Sequence, residues 1–247
     1  MKKTKISVVA PCFNEGKNIR KNIKKINDYL AARFYDYEII AVNDGSRDNT
    51  REELLVLQQE IGLRIVDNQE NRGKGGAVRD GILASKNDNE VVMFIDSDLG
   101  IPIEELDKFI EELENGHDIV IASRFVPGLK VIRPVQAHRR VMEKAFRLIR
   151  MAITNNWNVK DTQCGFKVFR REAAMKIFPK LTVKRFAFDA EVIFVAKKHK
   201  FKIKELPIRL QNPPSRSLRI MRDPANMVWD LLKIRMNDWK GKYDNEQ

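Results

Sequence analysis

Along the first half of the 247-residue chain, short apolar runs alternate with stretches in which apolar residues recur every three or four positions. The runs are "ISVVAP", "YEIIAVND", "RIVDN", "VVMFID" and "DIVIAS", each rich enough in Val and Ile to read as a buried strand. Between them, Asn18 to Arg33, Asn49 to Ile61, Lys74 to Ser85 and Ile103 to Asn115 carry helical periodicity. Such alternation predicts an α/β fold with a Rossmann-like, mainly parallel sheet flanked by helices. Ligands of these sheets bind beyond the carboxyl ends of the strands. The segments to read are therefore Pro11 to Glu15, Asn43 to Ser46, Asn71 to Gly76, Asp96-Ser97-Asp98 and Ser123-Arg124, which should converge on one edge.

After Arg124 the pattern loosens. "FVPGLKVIRPV" reads as a loop, Ala137 to Ile153 as a basic amphipathic helix and "KDTQCGFKVF" as a turn-rich segment. A helix over Glu172 to Phe178, a second beginning near Ala190, and a strand at "FKIKELPI" follow. The tail "QNPPSRSLRIMRDP" predicts a loop, and Ala225 to Trp239 a final helix.

Composition adds one strong feature: 46 Lys and Arg against 34 Asp and Glu leave a net charge of +12. That excess points to an anionic partner, whether nucleic acid, a membrane surface or a phosphorylated substrate. No nucleic-acid recognition module is present, and the basic residues are dispersed rather than interleaved with an aromatic platform. Cys12 and Cys164 lie far apart, without the spacing of a zinc site or a disulfide framework, which suits a reducing cytoplasm. The N-terminal apolar run is too short for a signal-peptide core, and no run approaches the roughly 20 apolar residues that span a bilayer. Any membrane contact is expected from the surface.

The candidate chemistry sits in "FIDSDLG". Asp96 and Asp98 close a buried strand where the chain turns, so both carboxylates can face one hard cation such as Mg²⁺ or Mn²⁺, with phosphate oxygens completing the shell. An acidic turn explains Asp-x-Asp equally well; the context is what raises it. Asp44 ends another strand, and Asn14 and Glu15 end a third, a set suited to a ligand rich in hydroxyls and amides. The glycine-rich "NRGKGGAVRDG" fits neither the P-loop nor the dinucleotide fingerprint. It leaves a tight turn that brings Arg72 or Lys74 and a helix N-terminus near an anion.

Together "VVAPCFNEGKNI", "VNDGSRDNT", "NRGKGGAVRDG" and "FIDSDLG" resemble the inverting family 2 glycosyltransferases of the GT-A fold. "SRF", "DTQCGFKVF" and "KRFAFDAEVIFVA" are similar to the later motifs of polyprenyl-phosphate (dolichyl-phosphate) glucosyltransferases and their mannosyl relatives, "DTQCGFK" favouring the glucosyl branch. The resemblance implies that Pro11, Asn14, Glu15, Asp44, Lys74 and Ser97 surround the nucleotide. It gives Asp96 and Asp98 the metal, Mg²⁺ or Mn²⁺, and Arg124 and Arg139 the phosphate of acceptor or donor. Gly100 departs from the relatives' polar residue at that position, and the C-terminal membrane spans of many relatives have no counterpart.

The implied reaction moves a hexose, glucose first, from a UDP-sugar to polyprenyl or dolichyl phosphate at the cytoplasmic membrane face. A phosphate monoester is already largely dianionic at neutral pH, so little base help is needed. Asp189 and Glu191 in "FDAE" are the candidate base or acceptor-orienting carboxylates; the competing reading makes Asp189 a helix N-cap. Residues 1–210 form the predicted GT-A domain, and 211–247 an acceptor loop with Arg216 and Arg219 over the lipid phosphate, then an amphipathic helix. That helix, through Val228, Leu231, Leu232 and Arg235, either lies in a membrane interface or packs on the domain. The alternatives are a GDP-mannose donor, a soluble acceptor, or an inactive sugar-nucleotide-binding scaffold.

Overall fold

The structure, a computed structural model, describes residues 4–33, 36–128, 130–131, 137–210 and 224–244, the side chains of 130–131, 137–145 and 224–225 excepted. Five expected strands are present as β1 (Lys5–Cys12), β2 (Asp36–Asp44), β3 (Arg64–Asn68), β4 (Val91–Ile95) and β5 (Ile119–Ser123). The helices between them are α1 (Ile19–Ala32), α2 (Thr50–Ile61), α3 (Lys74–Leu83) and α4 (Leu106–Glu114), the last preceded by a 3₁₀ turn over Ile103–Glu105. A short β6 (Lys130–Val131) and α5 (Ala137–Thr154) lead to β7 (Phe166–Arg170), α6 (Arg171–Ile177), a 3₁₀ turn (Phe178–Lys180), α7 (Phe188–Lys198), β8 (Ile203–Pro207), β9 (Arg209–Leu210) and α8 (Pro224–Trp239).

Seven strands make one sheet in the order β3-β2-β1-β4-β7-β5-β8, and β6 pairs with β9 in a small second sheet. All neighbours in the large sheet run parallel except β7, which is antiparallel to both β4 and β5. This corrects the sequence reading: "FKVF" opens a central strand, β7, rather than belonging to a turn, and that strand separates β4 from β5. Phe166 and Val168 pack into the core on one face of the sheet with α1, α2 and α4, and Phe169 into the core on the other with α3, α6 and α7. Lys167 shares the second face and is fully buried.

Because β7 is antiparallel to both flanking strands, β4 and β5 keep a common direction, and the C-terminal ends of β1, β2, β4 and β5 share one edge. Leu231 and Ile234 of α8, with Tyr243 beyond it, are buried in the same core as α3, α6 and α7. Among the described residues no helix is long and apolar enough to cross a membrane.

Candidate active site

The loops at the shared edge are tied to one another by side chains on backbone. Asn14, held at a left-handed φ of 55°, receives Arg47 N–H on its Oδ1 at 2.8 Å, and its own N–H donates to Ser46 Oγ at 3.0 Å. Glu15 N–H donates to Thr50 Oγ1 at 2.8 Å and Gly16 N–H to Asp48 Oδ2 at 3.1 Å. The loop after β1 is thereby fastened to the loop after β2, with Pro11 in the last turnward residues of β1.

Asp44, at the end of β2, is buried and accepts the N–H groups of Arg72 (2.8 Å) and Gly73 (2.9 Å). Burial pushes its carboxyl above the usual range, and the donors from Arg72, Asn68 and Gly73 offset part of that. Its first task is thus to shape the glycine-rich turn. Gly73 takes a φ of 80°, a conformation that L side chains rarely adopt, and a Cβ there would stand 2.6 Å from Lys184 O, so glycine lets the chain turn from the Asp44 contact into α3, which Lys74 opens.

Lys74 then reaches β4: its Nζ lies 2.6 Å from Asp96 Oδ1, with the lysine side chain 19% and the aspartate 39% exposed. Burial alone would push the ammonium down, but the charges of Asp96 and Asp189 outweigh it and hold the Lys74 pKa up. Asp96-Ser97-Asp98 is a tight turn in which Leu99 N–H bonds Asp96 O at 3.0 Å and Leu99 takes a left-handed φ of 50°. Non-glycine residues in that region are strained and recur at functional sites. Asn22 of α1 pins the turn by donating to Ser97 O at 2.8 Å, and Gly100 N–H donates to Asp98 Oδ1 at 3.0 Å. Burial and the neighbouring charges of Asp98, Asp48 and Asp96 push the Glu15 carboxyl upward, so the carboxylates that follow β1, β2 and β4 act on one another across the edge.

Beneath Asp96 lies β7. Asp96 N–H bonds Gly165 O at 2.9 Å, and a Cβ on Gly165 would stand 1.9 Å from Asp96 Oδ2, so only glycine allows this carboxylate its place. Two residues on, Lys167 points into the core, where its ammonium is held by Asp189 and by Cys164 O at 2.7 Å. Burial pushes the Asp189 carboxyl up, and Lys167 and Lys74 offset this only in part. Asp189 sits in the first turn of α7, which starts at Phe188, and makes no capping bond, so the N-cap alternative is corrected. It belongs to the floor of the site rather than its open face. Glu191 is elsewhere: it accepts N–H groups of Thr182 and Val183 (3.0 and 2.8 Å) and the Tyr243 hydroxyl (2.5 Å), anchoring the C-terminal segment.

Arg124, following β5, is gripped by Asp161 through Nε (2.8 Å) and Nη2 (3.1 Å), while its backbone N–H adds a third bond at 3.0 Å. Burial pushes the Asp161 carboxyl up, but the Arg124 charge and these bonds outweigh it and hold it low. Glu205 of β8 accepts the N–H groups of Lys160 and Asp161 at 2.8 and 2.9 Å, and Arg150 of α5 donates to Val159 O at 3.0 Å. A chain of contacts therefore runs from α5 to the guanidinium of Arg124. Arg139 lies on α5, but its side chain, like Arg216 and Arg219, is outside the described residues.

The profile of glycosyl transferase family 2 matches residues 7–178, from β1 through α6. The chain belongs to glycosyl transferase family 2. This family 2 glycosyltransferase is 32% identical to the human dolichyl-phosphate beta-glucosyltransferase, over 98% of its own length and 78% of the relative's. The Saccharomyces cerevisiae enzyme of the same name is 31% identical over the same shares, 98% and 78%. Among solved structures, glucosyl-3-phosphoglycerate synthase from Mycobacterium tuberculosis, in complex with Mn²⁺, uridine diphosphate and phosphoglyceric acid, superposes with a TM-score of 0.69. At 18% identity it covers 99% of this chain and 80% of that one, and the likeness assigns the GT-A fold. Of the residues on which the site depends, sequence reasoning missed Gly165 and Asn22. The signal for the first was a lone glycine before an alternating apolar run; the second had none.

Proposed function

We propose that this glycosyltransferase transfers glucose from UDP-glucose, with inversion, to a polyprenyl phosphate of the dolichyl type, giving a lipid-phosphate-linked β-glucoside and UDP. The observation that carries this reading is the likeness to dolichyl-phosphate beta-glucosyltransferases along almost the whole chain, together with an edge whose charges suit two phosphorylated substrates. A phosphate oxygen of the lipid forms the new bond to the anomeric carbon. The bond from that carbon to the β-phosphate oxygen of UDP breaks, and its electron pair leaves with UDP.

The donor set of Asp96 and Asp98 is oxygen only, which fits Mg²⁺ or Mn²⁺. Among the described residues no cluster of three acidic, His or Cys side chains could hold an ion unaided, so diphosphate oxygens belong in the shell. Bound there, a divalent cation supplies charge neutralisation for the leaving diphosphate. Lys74, already on Asp96, adds a cation that can turn to phosphate when Asp96 is otherwise engaged. Pro11, Asn14, Glu15 and the turn held by Asp44 line the nucleoside side, with Ser97 keeping the metal turn in shape through Asn22. Arg124, oriented by Asp161, and Arg139 of α5 meet the acceptor phosphate and lessen the repulsion between two anions. Asp189 fixes Lys167 beneath the Asp96 turn, and the dianionic acceptor needs no strong base.

The test is transfer of labelled sugar into organic-extractable product from UDP-glucose, other UDP-hexoses and GDP-mannose, with polyprenyl phosphate, with and without EDTA. UDP-glucose should be preferred and EDTA should stop transfer. Absence of lipid product from every donor would overturn the reading, product from GDP-mannose alone would reassign the sugar, and label found only in water-soluble product would reassign the acceptor.

A further inference from the structure

Helix α8 is apolar on two sides, and among the described residues one of them is buried against the fold and the other is exposed. Leu231, Ile234 and Asn237 face inward and are buried. Trp229, Leu232, Met236 and Trp239 are exposed, Trp229 by 59% and Trp239 by 75%. At about 100° per residue these four fall within an arc of about 80°, and the two tryptophans stand about 15 Å apart along the axis. They form one outward stripe, which a water-facing helix has no reason to carry.

The residues beside the stripe have one sign. Lys233 and Lys240 are exposed on one flank, and Arg235 lies on the other, its guanidinium 5.8 Å from the centroid of Trp239. The two acidic residues of the described helix lie off the stripe: Asp238 pairs with Lys198 and reaches Arg235 at 3.6 Å, and Asp230, beside Lys233, lies about 100° from Trp229, so the charge next to the stripe stays net positive. Helix α5, packed against α8, exposes Leu148 and Ile149 near its end, and Trp157 follows it.

We infer that the outward face of α8, with the exposed apolar residues of α5, is a docking surface for an anionic lipid bilayer, on which α8 lies flat with its tryptophans at the headgroup boundary. The inference deepens the proposed function, since a polyprenyl phosphate is presented from a membrane. Three features favour the bilayer. Tryptophan at both ends of an apolar stripe matches the interfacial preference of an amphipathic ring. Lysine and arginine beside it match anionic headgroups. A second copy of the chain, docked face to face, would set Lys233 and Lys240 against the same lysines of the other molecule or against its Arg235, and like-charge repulsion opposes either arrangement.

The test sediments the full chain with vesicles of phosphatidylcholine alone and of phosphatidylcholine with phosphatidylserine. The parent should bind the anionic vesicles, with a blue shift in tryptophan fluorescence, and bind the neutral ones far less. Trp229→Ser with Trp239→Ser should lower partitioning about tenfold or more, and Lys233→Gln with Lys240→Gln should lower it on anionic vesicles and remove its salt dependence. The tryptophan variant should keep the parent's thermal midpoint and its rate with a water-soluble short-chain polyprenyl phosphate, while losing rate with a long-chain acceptor in vesicles. A parent that does not sediment, a tryptophan variant that sediments like the parent, or a concentration-dependent dimer abolished by the tryptophan changes overturns the inference. Failure of the parent on the short-chain acceptor would overturn the glucosyl-transfer reading instead, because the sedimentation result stands apart from activity.

Discussion

Replacing Gly165 by alanine puts a methyl group where the carboxylate of Asp96 now lies. The new Cβ would stand 1.9 Å from Oδ2, 2.2 Å from Cγ and 2.5 Å from Oδ1, and ordinary contact begins at 3.4 Å. The carboxylate must therefore retreat by about 1.5 Å, since overlap of that depth is not tolerated in a packed structure. The backbone at Gly165 is held in its place, because Gly165 O accepts the Asp96 N–H and β7, which starts at the next residue, is paired on both sides. The retreat breaks the 2.6 Å contact with Lys74 and moves one of the two oxygen donors proposed for the metal. A misplacement of about 1 Å near reacting groups costs on the order of 100-fold in rate, or about 2.7 kcal/mol of transition-state stabilisation. The displaced atoms are the end of one side chain that is 39% exposed, so the fold itself should lose little, at most about 1 kcal/mol. The assay is glucose transfer at saturating acceptor, with the affinity for UDP and Mn²⁺ read by calorimetry and the thermal midpoint as control. A Cβ at 165 meets Asp96 first, so in an Asp96→Ala background the alanine at 165 should change UDP affinity by less than about 0.5 kcal/mol, a double-mutant cycle with strong coupling. A Gly165→Ala enzyme within twofold of the parent in kcat and UDP affinity would refute the reasoning.

Three other outcomes follow from the same geometry. Asp98→Ala should leave the thermal midpoint within a few degrees of the parent's and abolish EDTA-sensitive transfer, because phosphate oxygens then have one carboxylate partner instead of two. Lys167→Met strands the Asp189 carboxylate in the core and should destabilise by about 3–5 kcal/mol at neutral pH in urea denaturation, whereas Lys167→Met with Asp189→Leu should regain most of it. Arg124→Gln removes the charge that holds Asp161 low against burial. The stability gained from a depressed carboxyl is fully present above the unfolded value of about 3.9 and is lost as pH falls through the folded one. The gap in urea midpoint between parent and variant should therefore be widest near neutrality, at about 3 kcal/mol, and close below pH 4; a constant gap would dissociate Arg124 from Asp161.

Much of this was legible along the chain because parallel strands buried on both faces leave continuous apolar runs, as "VVMFI" and "IVIAS" do. β7 lacked that mark. Lys167 interrupts its apolar sequence, and the charge that makes a buried lysine tolerable is Asp189, 22 positions away. Pairing at that separation leaves no periodicity to read. With β7 hidden, the requirement for Gly165 was hidden too, since the carboxylate it accommodates belongs to another strand. On α8 the difficulty was the opposite. Apolar residues cover more than half its circumference, so three- and four-residue spacing grouped Leu231 with Leu232, and only packing against α7 and α5 sends the first inward and leaves the second exposed.

The two carboxylates of "FDAE" have like local signals and different partners. Both fall in the first turn of one helix, where acidic residues complement the helix dipole. Two positions apart, they point about 160° from each other around the axis, and what waits on each side decides their chemistry. On one side stands the lysine of a central strand beneath the proposed metal turn, so Asp189 is bound to the site. On the other stand the backbone of Thr182 and Val183 and the hydroxyl of Tyr243, so Glu191 is bound to the C-terminal segment. Helix α7 thus touches both the floor beneath Asp96 and the anchor of α8. A sequence motif can nominate such a pair, but the division of labour between its members is set by the strands and loops that fold against it.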